Sequence, residues 1–215
     1  MTHTPAAVRS RRPGNKHIIT TFDQSTATCH IFTFKEGLLS LVAHDLKLQV
    51  LKFKISVEGN PSTLPVWKGV RATFDPASIT TVCAMHDGQE KQNRLNKQDC
   101  LDIERNMAND VLRTKEHPRI DFCSKVVSGS HDNFVVKGHL TICGTTRAIS
   151  VPVEREDNAH VVKVTMDQRD FGIRPFTALM GTMKIKPDIL IRIELPVISV
   201  SPRPKPSHLG AAKSR

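Results

Sequence analysis

The sequence predicts a mainly β protein built as one antiparallel sheet that curls until it can close. In the last long run of the chain, Ile189, Ile191, Ile193 and Leu195 alternate with Leu190, Arg192 and Glu194. A period of two with one apolar face marks a strand that is covered on one side. The same alternation sets Phe134, Val136, Leu140 and Ile142 against Lys137, His139 and Thr141, and Val162, Val164 and Met166 against Lys163, Thr165 and Asp167. At 215 residues the chain can bury one sizeable core, and a single domain accounts for it. No apolar run approaches the ~18–20 residues that a membrane-crossing helix needs.

Taken in order, residues 1–17 are polar and basic, with too little apolar surface to fold, and are expected to form a disordered tail. A domain is expected over 18–199, followed by a second disordered, Pro-containing tail over 200–215. Strand 28–35 places His30, Phe32 and Phe34 on one face. In the run 46–57, Leu46, Leu48 and Val50 keep one parity, while Leu51, Phe53, Ile55 and Val57 continue on the other. That change predicts a bulge near Val50–Leu51, which would bend the strand as a closing sheet requires. Strand 68–75 offers Val70, Ala72 and Phe74 and stops at Pro76. Residues 91–113 change period: Ile103, Met107 and Val111 stand at helical spacing, flanked by Cys100 and Leu112. Strands 119–127, 134–143, 148–155, 160–168 and 188–196 follow, which makes eight, with one helix between the third and the fourth. Eight antiparallel strands can close around an interior that is filled by side chains or holds one small ligand.

Charge and motifs narrow the function classes. Of the net charge of +10, the first tail supplies Arg9, Arg11, Arg12 and Lys16 without an acid, and the last supplies Arg203, Lys205, Lys213 and Arg215. The body is left at +2, so the basic character belongs to the tails and nucleic acid is not an expected partner of the folded part. Five cysteines without CxxC spacing read as reduced, mostly buried thiols. Cys83 and His86 make half of a zinc site, and His30 or His44 would have to complete it; no metal and no cofactor is assigned. No phosphate-cradling glycine loop, nucleophile elbow or dinucleotide fingerprint is present, and no catalytic residue is nominated. Asp170-Phe171-Gly172 lacks every companion of a kinase signature; Gly172 is expected to permit a tight bend and Phe171 to pack inward. The apolar connection Phe176 to Met183 either plugs one end of the sheet or flanks an opening into it.

Several stretches resemble the YceI-like family. GHLTICGTTRAISVPV resembles its strand–turn–strand with Gly-Thr-Thr at the tip. RDFGI followed by the closing strand from Asp188 to Leu195 resembles its ending, and Pro118, Ile120, Phe122 and Ser124 match its Pro-x-Ile-x-Phe-x-Ser strand. Phe32 to Val57 resembles the opening strands, although Glu36-Gly37-Leu38 stands where a His-Leu-Gly type element is common. The resemblance covers roughly 28–196. It implies an extended lipocalin-like barrel that binds a polyisoprenoid, quinone or other long-chain lipid, and a homodimer as one form of assembly. Many relatives are exported; MTHTPAAVRSRRPGNK has no apolar segment behind its arginines, so a cytoplasmic location is expected.

Assigning each strand's more apolar side to the interior gives a ligand-binding wall of Phe32, Phe34, Leu48, Val70, Phe74, Phe122, Leu140, Ile142, Val164, Phe171, Ile189 and Ile191. His44, Asp45, Arg169 and Asp170 are placed at a polar rim, with Arg169 and Asp170 paired. Two alternatives stay open: an enzyme using His44 and Asp45 near the cavity, or a filled structural barrel whose tails contact nucleic acid.

Overall fold

A computed structural model describes residues 18–36, 44–59, 67–178 and 183–197. Both basic tails lie outside these residues.

The described chain forms thirteen strands. They are β1 (Ile18–Phe22), β2 (Thr28–Glu36), β3 (Asp45–Val50), β4 (Phe53–Gly59), β5 (Trp67–Phe74), β6 (Ile79–His86), β7 (Gln89–Lys91), β8 (Ile120–Gly129), β9 (Asn133–Ile142), β10 (Thr145–Glu156), β11 (Ala159–Asp167), β12 (Thr177–Ala178) and β13 (Met183–Pro196). The helix α1 (Lys97–Asn106) runs into one wide π turn, Met107–Val111. Every pairing is antiparallel, in the order β1-β4-β5-β8-β9-β10-β11-β13-β2-β3-β6-β7, with β12 on β13. β3 and β4 stand far apart in that order yet are joined through Leu51 and Lys52, so the sheet curls back on itself into a barrel-like wall.

This corrects the expected eight strands and the position of the helix. The run 46–57 is two strands, because the chain turns a corner where its parity changes; Leu51 is 41% exposed at that corner. β1, β6, β7 and β12 were not expected. β6 hides its alternation: its register slips between Lys47 and Leu48 of β3, so Thr81 and Cys83 take consecutive partners and the period of two is broken. β1 buries only Phe22 and shows no two-residue rhythm. Since β6 and β7 precede it, α1 lies between the seventh and eighth strands.

The helix lies inside the expected stretch 91–113 but is shorter, starting at Lys97. Asn96 caps it by accepting from Asp99 N, and the Asp99 carboxylate accepts from Asn96 N, a reciprocal capping box. No residue of α1 or of the π turn is fully buried. Glu104 ties the helix to the sheet by accepting the Thr81 backbone N–H at 2.7 Å.

The main core lies on the inside of the curl, where Val57, Val153 and Leu195 are the largest fully buried side chains. A second cluster of Leu140, Ile142, Cys143, Phe171 and Ile173 sits below the π turn. Gly172 adopts a left-handed φ of 71° and ends the short turn that buries Phe171, as expected. The β9–β10 hairpin turns at Cys143 and Gly144, both with positive φ.

Candidate functional site: an apolar cavity and its mouth

The inward side chains do not fill the curl. They leave an interior cavity of about 180 Å³ walled almost wholly by carbon. β13 contributes Ile189, Ile191, Ile193 and Leu195, and β11 contributes Val162, Val164 and Met166, in the alternation that their sequences predict. A wall of this kind offers water no partners, so the space favours an apolar occupant.

A wider space of about 510 Å³, here called the mouth, adjoins the cavity between the sheet and the α1 segment. Ile31, Ile79, Leu112, Gln168 and Ile189 line both spaces and mark the neck. The helical stripe faces the mouth through Ile103, Met107 and Val111, opposite Leu46 and Leu48. Arg94, Asp99, Asp102 and His44 stand at its edge. Asp102 is paired with Arg105 and also accepts from Gln98.

Of the twelve wall residues named from sequence, Val70, Phe74, Phe122, Leu140, Ile142, Val164, Ile189 and Ile191 line the inner cavity, and Leu48 lines the mouth. Three do not line either space. On β2 the inner face carries Cys29 and Ile31, so Phe32 and Phe34 belong to the opposite face. Phe32 there stands across from Leu190 of β13 and beside the His30 ring. The rule that the more apolar side faces in fails on this strand because its outer face has apolar neighbours of its own. Phe171 is 3% exposed but belongs to the second core cluster.

The polar rim divides as well. His44 lines the mouth. The Asp45 carboxylate accepts the Lys35 backbone N–H at 2.7 Å and clamps the ends of β2 and β3. Arg169 pairs with Asp167 at 2.6 Å rather than with the expected Asp170. Asp170 instead offers its backbone carbonyl to Arg147 Nε at 2.8 Å.

The residues of the half zinc site are dispersed. Cys83 is buried, while exposed His86 faces Asp87 at 3.4 Å. Among the described residues no three histidine, cysteine, aspartate or glutamate side chains are grouped to hold a metal. All five cysteines are free thiols. Burial pushes the Cys29 thiol, on the cavity wall, up to about 12.

Sequence reading missed the neck and the charged edge. Gln168, Arg94, Asp99 and Asp102 belong to no motif that marks a binding site. Arg94, Asp99 and Asp102 become mouth residues only because α1 lies across this opening.

Among the described residues, a curled antiparallel sheet surrounds an apolar cavity beside a polar-edged opening, the architecture of the closed or nearly closed antiparallel barrels. The YceI-like domain model matches residues 21–197, and the chain belongs to that family. Solved structures of the same fold include Burkholderia cenocepacia BcnA, at 16% identity and a TM-score of 0.58 over 80% of this chain and 97% of that one. The Campylobacter jejuni YceI protein matches at 16% identity and a TM-score of 0.53, over 71% of this chain and 84% of that one. A polyisoprenoid-binding domain from Saccharophagus degradans, implicated in plant cell wall breakdown, matches at 9% identity and a TM-score of 0.51, over 84% of this chain and 97% of that one. No curated protein matches the chain. Among the described residues no helix is long and apolar enough to cross a membrane.

Proposed function

We propose that this protein holds a long apolar molecule, an isoprenoid or a comparable lipid, with its chain in the inner cavity and its head toward the mouth. The observation that carries this reading is the carbon-walled cavity that shares five lining residues with a wider, polar-edged mouth beside it. Each methylene moved from water into such a wall contributes about 0.8 kcal/mol. Ligand sites commonly occupy ~300–1,000 Å³, and the mouth alone falls in that range. Family membership and the polyisoprenoid-binding neighbour support the same class of cargo.

The test is native mass spectrometry of freshly purified protein, followed by organic extraction. A bound species of lipid mass, recovered in the extract, is the expected result. A clean unliganded mass that also ignores added long-chain isoprenoids would overturn the proposal and leave a structural barrel.

A further inference from the structure

At the neck and the mouth beside it stand one amide whose orientation the fold fixes and one buried hydroxyl that the fold does not use. Gln168 is 9% exposed and lines both the cavity and the mouth. Its Nε2 donates to the backbone carbonyls of Lys186 and Pro187 at 3.2 and 3.3 Å. Both partners are acceptors, so the amide has one orientation, with Oε1 turned away from them. Those carbonyls lie where the β2–β13 register shifts, between Ile185 and Ile189. Thr33 of β2 stands directly across from Ile189 and also lines the mouth. Its Oγ1 is buried and has no hydrogen-bond partner among the described residues. The Thr33 hydroxyl beside this bulge is costly to leave empty, since a buried unpaired hydroxyl forfeits its hydration.

We infer that Gln168 Oε1 and Thr33 Oγ1 form a collar that selects an apolar chain carrying a neutral, hydrogen-bond-donating head, of which an alcohol is the simplest. This rests on the lipid-holding reading above and names the head group it would take. The ligand hydroxyl donates to Gln168 Oε1 while the Thr33 hydroxyl donates to the ligand oxygen, so all three groups are satisfied. An ether or a quinone offers acceptors only and leaves Gln168 Oε1 without a donor. A phosphate head would bring more negative charge to an edge that already sets Asp99 and Asp102 against Arg94.

Trp67, the single tryptophan, lines the cavity and reports occupancy by its fluorescence. The experiment titrates the full chain with geranylgeraniol, its methyl ether and its monophosphate, and repeats this with Thr33→Val and Gln168→Met. Thr33→Val is nearly isosteric and tests the collar even if Gln168→Met, which frees the Lys186 and Pro187 carbonyls, fails to fold. The expected result is an alcohol bound roughly two- to tenfold tighter than the ether, the size of one neutral hydrogen bond. Thr33→Val should weaken alcohol and ether alike, because the Thr33 hydroxyl donates to either oxygen, whereas Gln168→Met should bring the ratio toward one. Equal binding of alcohol and ether by the unaltered protein, or tightest binding of the phosphate, would overturn the collar and leave the lipid reading standing. No binding of any of the three would remove both.

Discussion

At the scale of single residues, Gly138 is fixed by a neighbour's backbone. A Cβ there would stand 2.5 Å from the Cys123 carbonyl oxygen and 2.8 Å from Ser124 Cα, in the stretch where β8 slips its register against β9. Neither contact can move without moving a strand. Gly138→Ala is therefore expected to lower stability by about 1–3 kcal/mol, read as a reduced urea midpoint with unchanged slope. His160 sets a second expectation. It is 6% exposed, packs against Trp67 and Phe134 with ring centroids 5.1 and 5.8 Å away, and its Nδ1 has no partner among the described residues. Burial, reinforced by Arg155 and His131, lowers its pKa, with Asp132 opposing. The unfolded chain then binds the proton more readily than the folded one, so stability is fully present above the ordinary histidine value near 6.5 and falls as pH drops below it. His30, lowered chiefly by burial and then by Lys47, acts in the same direction. Hydrogen bonds from Lys47, Lys163 and Arg169 hold Glu90, Glu156 and Asp167 below the ordinary carboxylate value, so the loss between about pH 6.5 and 5 is assigned to these histidines. The melting temperature of His160→Leu should depend less on pH across that window than that of the parent protein; an unchanged slope would remove His160 from the account.

At the scale of elements, α1 is the part most separable from the rest. It buries no residue completely, and among the described residues it is tied to the sheet side by the Glu104 bond to Thr81 N and, beyond the π turn, by a 3.3 Å contact from Cys143 Sγ to the Leu112 carbonyl. Elements with few buried contacts open at low free energy. Amides of α1 should exchange with deuterium before those of β9, β11 and β13, and Glu104→Ala should widen the gap while the strands keep their protection. Uniform exchange across helix and strands would contradict this. Legibility in the sequence follows the same division. β9, β11 and β13 could be read because each has one covered face, and Ile103, Met107 and Val111 announced the helix because a sheet lies beneath them. β1 and β6 could not: the first is an edge with one buried residue, and the second is bulged and rich in threonine. β2 was legible as a strand but not in its facing, since Phe32 and Phe34 outweigh Cys29 and Ile31 in any count of apolar area. The neck was invisible for a different reason: Thr33 and Gln168 are each tied to β13 at its register shift, and no pattern in the sequence marks that shift.

At the scale of the whole molecule, the parity change read from Leu46–Val57 turns out to be where the sheet is joined to itself. β3 and β4 lie on opposite stretches of the strand order, and only Leu51 and Lys52 connect them. The short turn after β5 clamps that corner. Ser78, 8% exposed, accepts from Lys52 N at 2.9 Å through Oγ and donates to the Asp75 carbonyl at 2.7 Å, while Leu51 N reaches the Ser78 carbonyl at 3.1 Å. Asp75 N closes the loop on the Lys52 carbonyl at 2.9 Å, and the Asp75 carboxylate holds Ala77 N at 2.9 Å. Ser78→Ala removes the hydroxyl and leaves the Lys52 N–H without its acceptor, a loss of about 1–3 kcal/mol. Because the corner holds the two halves of the curl together, that loss should be global rather than local. Unfolding followed by Trp67 fluorescence on the wall and by far-ultraviolet circular dichroism should shift together to lower denaturant and remain coincident. If the two probes separated, with the β1–β4–β5 side melting first, the corner would be a local clasp and the curl would be held by its β8–β13 wall alone.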